Sequence, residues 1–342
     1  MLDQKPLNRL LFLDIETTSL KESCADLTDH QREIFTKRFR KEIDAQVALK
    51  FTATMSERKS SPDPTSDGTL KAGKKKKTEP TAEQILQNIK DEVCSDVYNT
   101  KAPIHAEFGR ILCISVGAIW KNQNEDFYNI KINTFSNEDE KTLLSDFINH
   151  EKLGPILNRV AGNYEKNQDD FWALCSHNGL IFDFPYIARR LIINGFNPPA
   201  MFDYAHLKPW EQNFLIDSRQ VWSFNVFDAA VSLDCLAEIF NIPSSKEVMS
   251  GADVKDVFYK EKNLKKIADY CELDVLALVR IYLRMKSMKE DVRLFGAPQS
   301  IDAVAELSKI LEEELIAANY PNGIDAQDAE KILAGQNVSA SQ

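Results

Sequence analysis

Two carboxylates close an apolar run near the start of the chain. The stretch RLLFLDIETTSL, Arg9 to Leu20, carries Asp14 and Glu16 two residues apart. On a β-strand that spacing puts both side chains on one face, with Ile15 turned to the other, so a paired-carboxylate site is possible. Oxygens of this kind suit a hard divalent cation. Leu10, Leu11, Phe12 and Leu13 are continuously apolar, as in a central strand covered on both faces. Charges just past such a strand stand at its carboxyl end, where open α/β sheets place ligands. Read alone, the same two acids also fit a wet loop that caps whatever follows.

Two further segments carry acids with more than one possible use. In SHNGLIFDFPYIARRLI, Asp183 falls at the mouth of a helix with Pro185 in its first turn. An N-cap explains it, and a carboxylate held at a helix start still keeps a lone pair free for a cation. Asn178 and Gly179 mark the turn after the preceding strand, and Phe182 fits either a core position or a stacking surface. In NLKKIADYCELDVLALVRIYLRM, the residues Leu264, Ile267, Ala268, Cys271, Val275, Leu278, Val279 and Tyr282 form one apolar stripe of a helix. Asp274 lies at the stripe's edge, and Tyr270 is its neighbour one turn earlier. A carboxylate there needs a partner or a cation, because an unpaired buried charge is costly. A structural tyrosine–aspartate contact, or a lysine from elsewhere, would also satisfy it.

Bringing these segments together takes a definite order of elements. After the first strand, RILCISVGAIW and DFYNIKINTF are strand-like runs separated by polar KNQNE, a hairpin signal. A helix near 138–150, a strand in FWALCSH, a helix in FPYIARRLIIN stopped by Gly195 and a strand in NFLIDS follow. Helices are then expected over 229–240, 253–259 and 263–288. Strands and helices in that order predict an α/β fold with a mixed sheet flanked by helices. Between the first strand and Arg110 the chain differs in character. Thr28 to Gln31 and Thr81 to Gln84 have capping-box spacing and open charged helical stretches, the first running toward Phe51. The intervening SERKSSPDPTSDGTLKAGKKKKTEP has almost nothing to bury and reads as a disordered loop, about 56–80. The expected division is therefore a sheet domain over 1–24 and 102–290, an inserted helical segment over 25–101, and a helical C-terminal extension over 291–342.

Composition narrows the possible functions. The 342 residues are 43% hydrophobic, enough for a sizeable core, and the formal net charge is −10. That balance argues against a broad, sequence-blind grip on a polyanion. Residues 21–101 carry 16 basic and 14 acidic side chains, net +2, which leaves −12 on the rest. In the first inserted helix Arg32, Lys37, Arg38, Arg40 and Lys41 favour a phosphate-facing surface, against Glu33, Glu42 and Asp44. The six cysteines are dispersed without a CxxC pair, so reduced thiols are expected rather than disulfides or zinc ligands. No stretch has the length of a membrane span and MLDQKPLNRLLFLD lacks a secretory pattern, so a cytoplasmic protein without a membrane partner is expected.

Taken together, DIE at 14–16, the Asn178 to Asp183 stretch read as NxxxFD, and Tyr270 with Asp274 as YxxxD resemble the three exonuclease motifs of the DEDD superfamily. The tyrosine marks the DEDDy branch. The chain looks closest to the proofreading exonuclease domains of family-B DNA polymerases and to stand-alone proteins similar to them, over about 9–24 and 102–288. The resemblance implies an RNase H-like sheet of five strands with the second antiparallel. It also implies a 3′–5′ exonuclease that hydrolyses phosphodiester bonds and releases nucleoside 5′-monophosphates. Asp14, Glu16, Asp183 and Asp274 would hold two divalent ions, Mg²⁺ or Mn²⁺, with Asp14 bridging them. Tyr270 would orient the attacking water. Thr17, Asn178 and Phe182 would contact the terminal nucleotides. Single-stranded DNA, or unpaired 3′ ends of duplexes, is the expected substrate. RNA trimming of the RNase D kind uses the same acids, and a non-catalytic nucleic-acid-binding module is the alternative of another class. The inserted segment has no counterpart in a minimal domain of this kind.

Overall fold

The computed structural model describes residues 6–60, 80–122, 126–159, 172–224, 226, 231–288 and 292–294. Its centre is one six-stranded sheet made of β1 (Leu10–Ser19), β2 (Gly109–Trp120), β3 (Tyr128–Ser136), β4 (Ala173–Ser176), β5 (Leu215–Asp217) and β6 (Val292–Leu294), in the order β5-β4-β1-β2-β3-β6. β1 runs parallel to β4 and antiparallel to β2, and β4 is parallel to β5. The five expected strands are all present, with the second antiparallel. A sixth, β6, pairs parallel with β3 at the sheet edge, past residue 290 where the sheet domain was expected to end. Three residues are too short a run for the alternation of Val292, Arg293 and Leu294 to stand out. Interior strand β1 is apolar on both faces because it has neighbours on both edges and helices above and below.

The helices are α1 (Asp29–Arg38), α2 (Arg40–Ser60), α3 (Ala82–Lys101), α4 (Glu140–Asn149), α5 (Leu153–Leu157), α6 (Asp183–Ile193), α7 (Ser218–Ser223), α8 (Leu233–Phe240), α9 (Val254–Asp256), which runs on as a π turn over Val257–Glu261, and α10 (Leu264–Met285). Among the described residues no helix is long and apolar enough to cross a membrane. The six cysteines are free of disulfides. The charged stretch expected to run toward Phe51 is two helices, broken at Phe39, and the second continues to Ser60. What remains of the expected loop, 61–79, and almost all of the C-terminal extension lie outside the described residues.

Two cores organise these elements. The larger joins β1 (Leu10, Phe12, Leu13) to α6 (Phe184, Ile187) and α10 (Val275, Val279, Tyr282). The smaller belongs to the insertion, where Phe35 and Ile43 meet Val93, Val97 and Tyr98. Thr28 and Gln31, like Thr81 and Gln84, exchange the reciprocal hydrogen bonds of a capping box, which starts α1 and α3. A buried ion pair ties α6 to the sheet: Arg190 binds Glu140 and donates to the Ala106 carbonyl at 2.8 Å, while the Ile111 amide donates to Glu140 at 2.7 Å.

How close α10 comes to the sheet depends on Gly117 in β2. A Cβ at that position would stand 2.8 Å from Cγ1 of Val275, one residue after Asp274. Gly117→Ala is therefore expected to lower stability by roughly 1–3 kcal/mol through overpacking. The shift in a urea unfolding midpoint measures this; a midpoint equal to that of the parent would mean the helix is not pressed against β2.

Candidate active site

The pairing of β1 with β4 ends at Phe12 and Cys175, two residues before Asp14. On the other side the register with β2 slips between Glu16 and Thr17, and Leu112 is the extra residue of the bulge. Bulges of this kind re-aim side chains next to functional sites. The end of β1 thus leaves the ladder on one side and bends on the other, and Asp14 and Glu16 share the resulting recess. α10 crosses the same recess. One carboxylate oxygen from each of Asp14, Glu16 and Asp274 lies within 4.8 Å of the other two, and all three residues are half-buried. Asp183, 2% exposed, stands outside that group, yet near enough for its charge to act on Asp14 and Glu16.

Asp183 does not cap its helix as expected. Phe182 occupies the N-cap and Asp183 is the first helical residue. The Ser176 hydroxyl and the amides of Asp183 and Ile15 favour the charged form of its carboxyl, but burial outweighs them and raises its pKa to about 7. Burial raises Asp274 to about 6, against the pull of the Ser245 and Tyr270 hydroxyls. Asp14 and Glu16 are pushed well above the usual carboxylate range, first by burial and then by the charges of Asp274 and Asp183. Four acids that resist ionising together are what a site for a divalent cation requires, because the cation's charge offsets their mutual repulsion. The donor set fits Mg²⁺ or Mn²⁺, being oxygen throughout. Cys271 lies close, its Sγ 3.4 Å from Asp14 Oδ2, but burial raises its pKa and keeps it a thiol that donates to Asp14.

Tyr270 is 5% exposed, and its hydroxyl reaches both Asp274 and Ser245. Burial, then the charges of Asp274, Glu16 and Asp14, raise its pKa, so the phenol stays protonated and donates. The other candidates are engaged within the protein. Thr17 Oγ1 donates to the Pro103 carbonyl at 2.9 Å. Phe182 packs on Tyr186 at 5.3 Å between ring centroids. Asn178, at positive φ, accepts from Arg219 at 2.7 Å. His177 bonds to Ser218 and the Val231 carbonyl, as suits a structural residue.

Sequence reasoning missed three supports. Ser245 donates to Asp274 Oδ1 at 2.6 Å from the short loop after α8, in a polar stretch with no distinguishing pattern. In the same loop Lys246 is held by Asp234 at 2.7 Å. Cys271 was legible only as part of the apolar stripe. Asp217, 3% exposed, accepts from the amides of Asn178 and Leu180 and fixes the turn that leads to Asp183. Its signal was available, since it closes the apolar strand β5; Asp14 and Glu16, expected just past a strand, lie inside β1, which runs on to Ser19.

A family described as a predicted 3′–5′ exonuclease related to the exonuclease domain of PolB matches residues 104–320. The chain belongs to this family. No curated protein was found to match. The family supports a nuclease that acts on nucleic acid, and exonucleases of this kind are usually dependent on divalent metal. The mixed α/β sheet flanked by helices agrees with an RNase H-like exonuclease fold. The matched span contains Asp183, Tyr270 and Asp274 and begins after the insertion, so β1 with Asp14 and Glu16 lies ahead of it.

The raised carboxylates give a pH signature with a definite sign. Between the ordinary carboxylate range near pH 4 and a folded-state pKa of about 6, unfolded Asp274 has lost its proton and folded Asp274 has kept it. Metal-free stability contributed by this group therefore falls as pH rises through that window and levels off above it. Asp274→Asn removes the effect, so in EDTA the variant should gain in melting temperature over the parent from pH 4.5 to pH 7. Mg²⁺ should raise the parent's melting temperature more at pH 7.5 than at pH 5. A gap between variant and parent that narrows with rising pH would contradict this electrostatic picture.

Proposed function

We propose that the protein is a metal-dependent 3′–5′ exonuclease acting on single-stranded DNA or unpaired 3′ ends, and that it releases nucleoside 5′-monophosphates. The observation that supports this reading best is the convergence of Asp14, Glu16 and Asp274 oxygens within 4.8 Å, with buried Asp183 alongside, in a member of an exonuclease family. Under this reading 1–24 and the chain from 102 through β6 at Leu294 form the catalytic domain, and 25–101 is an insertion with its own core.

The residues divide the work. Asp14, Glu16, Asp183 and Asp274 would hold two divalent ions, which when bound lower the pKa of a water and stabilise the departing 3′ oxygen. Asp14, on which the charges of Asp274, Asp183 and Glu16 all act, would be the ligand common to both ions. Ser245 and Tyr270 fix the rotamer of Asp274, and Cys271 that of Asp14. Tyr270, a phenol that keeps its proton, orients the attacking water rather than deprotonating it. Thr17, Asn178 and Phe182 line the approach for the terminal nucleotides, with a base stacking on Phe182 for roughly 1–3 kcal/mol.

Digestion of 3′- and 5′-labelled DNA and RNA strands in parallel tests this function. Products should shorten from the 3′ end on DNA, stop with EDTA and resume with Mg²⁺ or Mn²⁺. Asp14→Ala should remain folded and lose roughly three orders of magnitude or more in rate. Tyr270→Phe should lose roughly ten- to a hundredfold in kcat with little change in KM. Full activity of Asp14→Ala, or digestion indifferent to EDTA, would remove the metal site from the account, and preference for RNA would change the substrate.

A further inference from the structure

The turn that follows the insertion stands against residues flanking the acids. Residues 102–108 leave α3, and the carbonyl of Pro103 accepts from both Thr17 Oγ1 and Tyr186 Oη, each at 2.9 Å. Thr17 is the residue after Glu16, and Tyr186 packs on Phe182, the residue before Asp183. On the far side of the turn, His105 packs against Phe39 at 5.1 Å, and Phe108 against Phe35 at 5.1 Å. The end of α1 is therefore fastened to the turn that braces the mouth of the site.

This junction sorts the basic residues of the first inserted helix. Arg32 is spent on the chain itself, donating to the carbonyls of Cys24, Ala25 and Leu27. Lys101 is paired with Glu42 at 3.2 Å. Arg38, immediately before Phe39, is exposed and makes no ion pair among the described residues. Arg189 is likewise exposed, one turn beyond Tyr186 on the face of α6 that carries Phe182. Both guanidinium groups bear on His105, as do Lys101 and the opposing Glu107. Ile104, next to Pro103, is 52% exposed, and Ile181, just ahead of α6, is 68% exposed. Two exposed cations on the elements that meet at the Pro103 turn match what a single strand needs for its phosphates.

We propose that Arg38, beside the Phe39 that packs on His105, and Arg189, one turn from the Tyr186 that holds Pro103, form a cationic ledge that holds the phosphates of a single-stranded nucleic acid as its 3′ end enters the acid cluster. The inserted helices then act as a substrate clamp, and the overall charge of −10 is no obstacle because the contact is local. The proposal rests on the nuclease reading for its substrate, and binding measured without metal separates the two.

The full-length protein is titrated with a fluorescein-labelled oligothymidylate in EDTA across a salt series, with fluorescence anisotropy as readout. Arg38→Ala with Arg189→Ala should weaken binding roughly tenfold and flatten the plot of log affinity against log salt by about 0.7 per arginine. Arg38→Lys should restore part of the affinity in the double variant's place, and Lys131→Ala on β3 should bind as the parent does. Affinity and salt slope unchanged in the double variant, an equal loss in Lys131→Ala, or no binding by the parent would each overturn the ledge. If the parent binds through these arginines but digests no strand, the ledge stands and the nuclease reading fails. If it digests and the arginines are indifferent, the reverse holds.

Discussion

Carboxylates crowded into a half-dry recess repel one another, and the fold must hold them there before any cation arrives to relieve the repulsion. Much of the architecture follows from that constraint. Asp14 and Glu16 are held by a strand with neighbours on both edges, which cannot move without breaking two ladders. Asp274 is held by the longest helix of the sheet domain, packed so closely that β2 needs a glycine beneath it. Asp183 is held by a helix that Arg190 and Glu140 tie to the sheet. Removing one partner of such a buried pair costs about 3–5 kcal/mol, so this anchor lets α6 keep an acid where it is electrostatically unwelcome. The resistance to ionisation that these contacts enforce is also the free energy that a divalent cation recovers on binding.

Much of this was legible from residue types and spacing. The continuous apolar run before Asp14 announced an interior strand. The 3.6-residue stripe placed Asp274 at the edge of a buried face, and capping boxes marked where α1 and α3 begin. What escaped were features with no period. Ser245 acts through one hydrogen bond and Asp217 through several backbone amides, from a loop and a strand end where a serine or an aspartate is commonplace. Phe39 breaks one charged stretch into two helices without proline or glycine to advertise it. Asp183 had the look of a cap, and only the tertiary arrangement turns its carboxyl toward β1 instead.

Residues 25–101 form a segment carrying α1, α2 and α3, ahead of the span that the exonuclease family matches. It has its own apolar core, yet it is joined to the site through Pro103, which links Thr17, Tyr186 and the turn against α1. An element fastened at that point is suited to act on substrate rather than on folding alone. Of the basic residues of α1, Arg32 is spent on backbone carbonyls of the insertion, while Lys37 and Arg38 are exposed.

The central claim is that four acids from three elements seat a pair of divalent ions. Diffraction from crystals grown with Mn²⁺ and a nucleoside 5′-monophosphate, recorded at an energy where manganese scatters anomalously, tests it most directly. Two anomalous peaks bounded by Asp14, Glu16, Asp183 and Asp274 are the expected result. A recess without manganese at saturating metal, or ions bound only elsewhere on the protein, would contradict it.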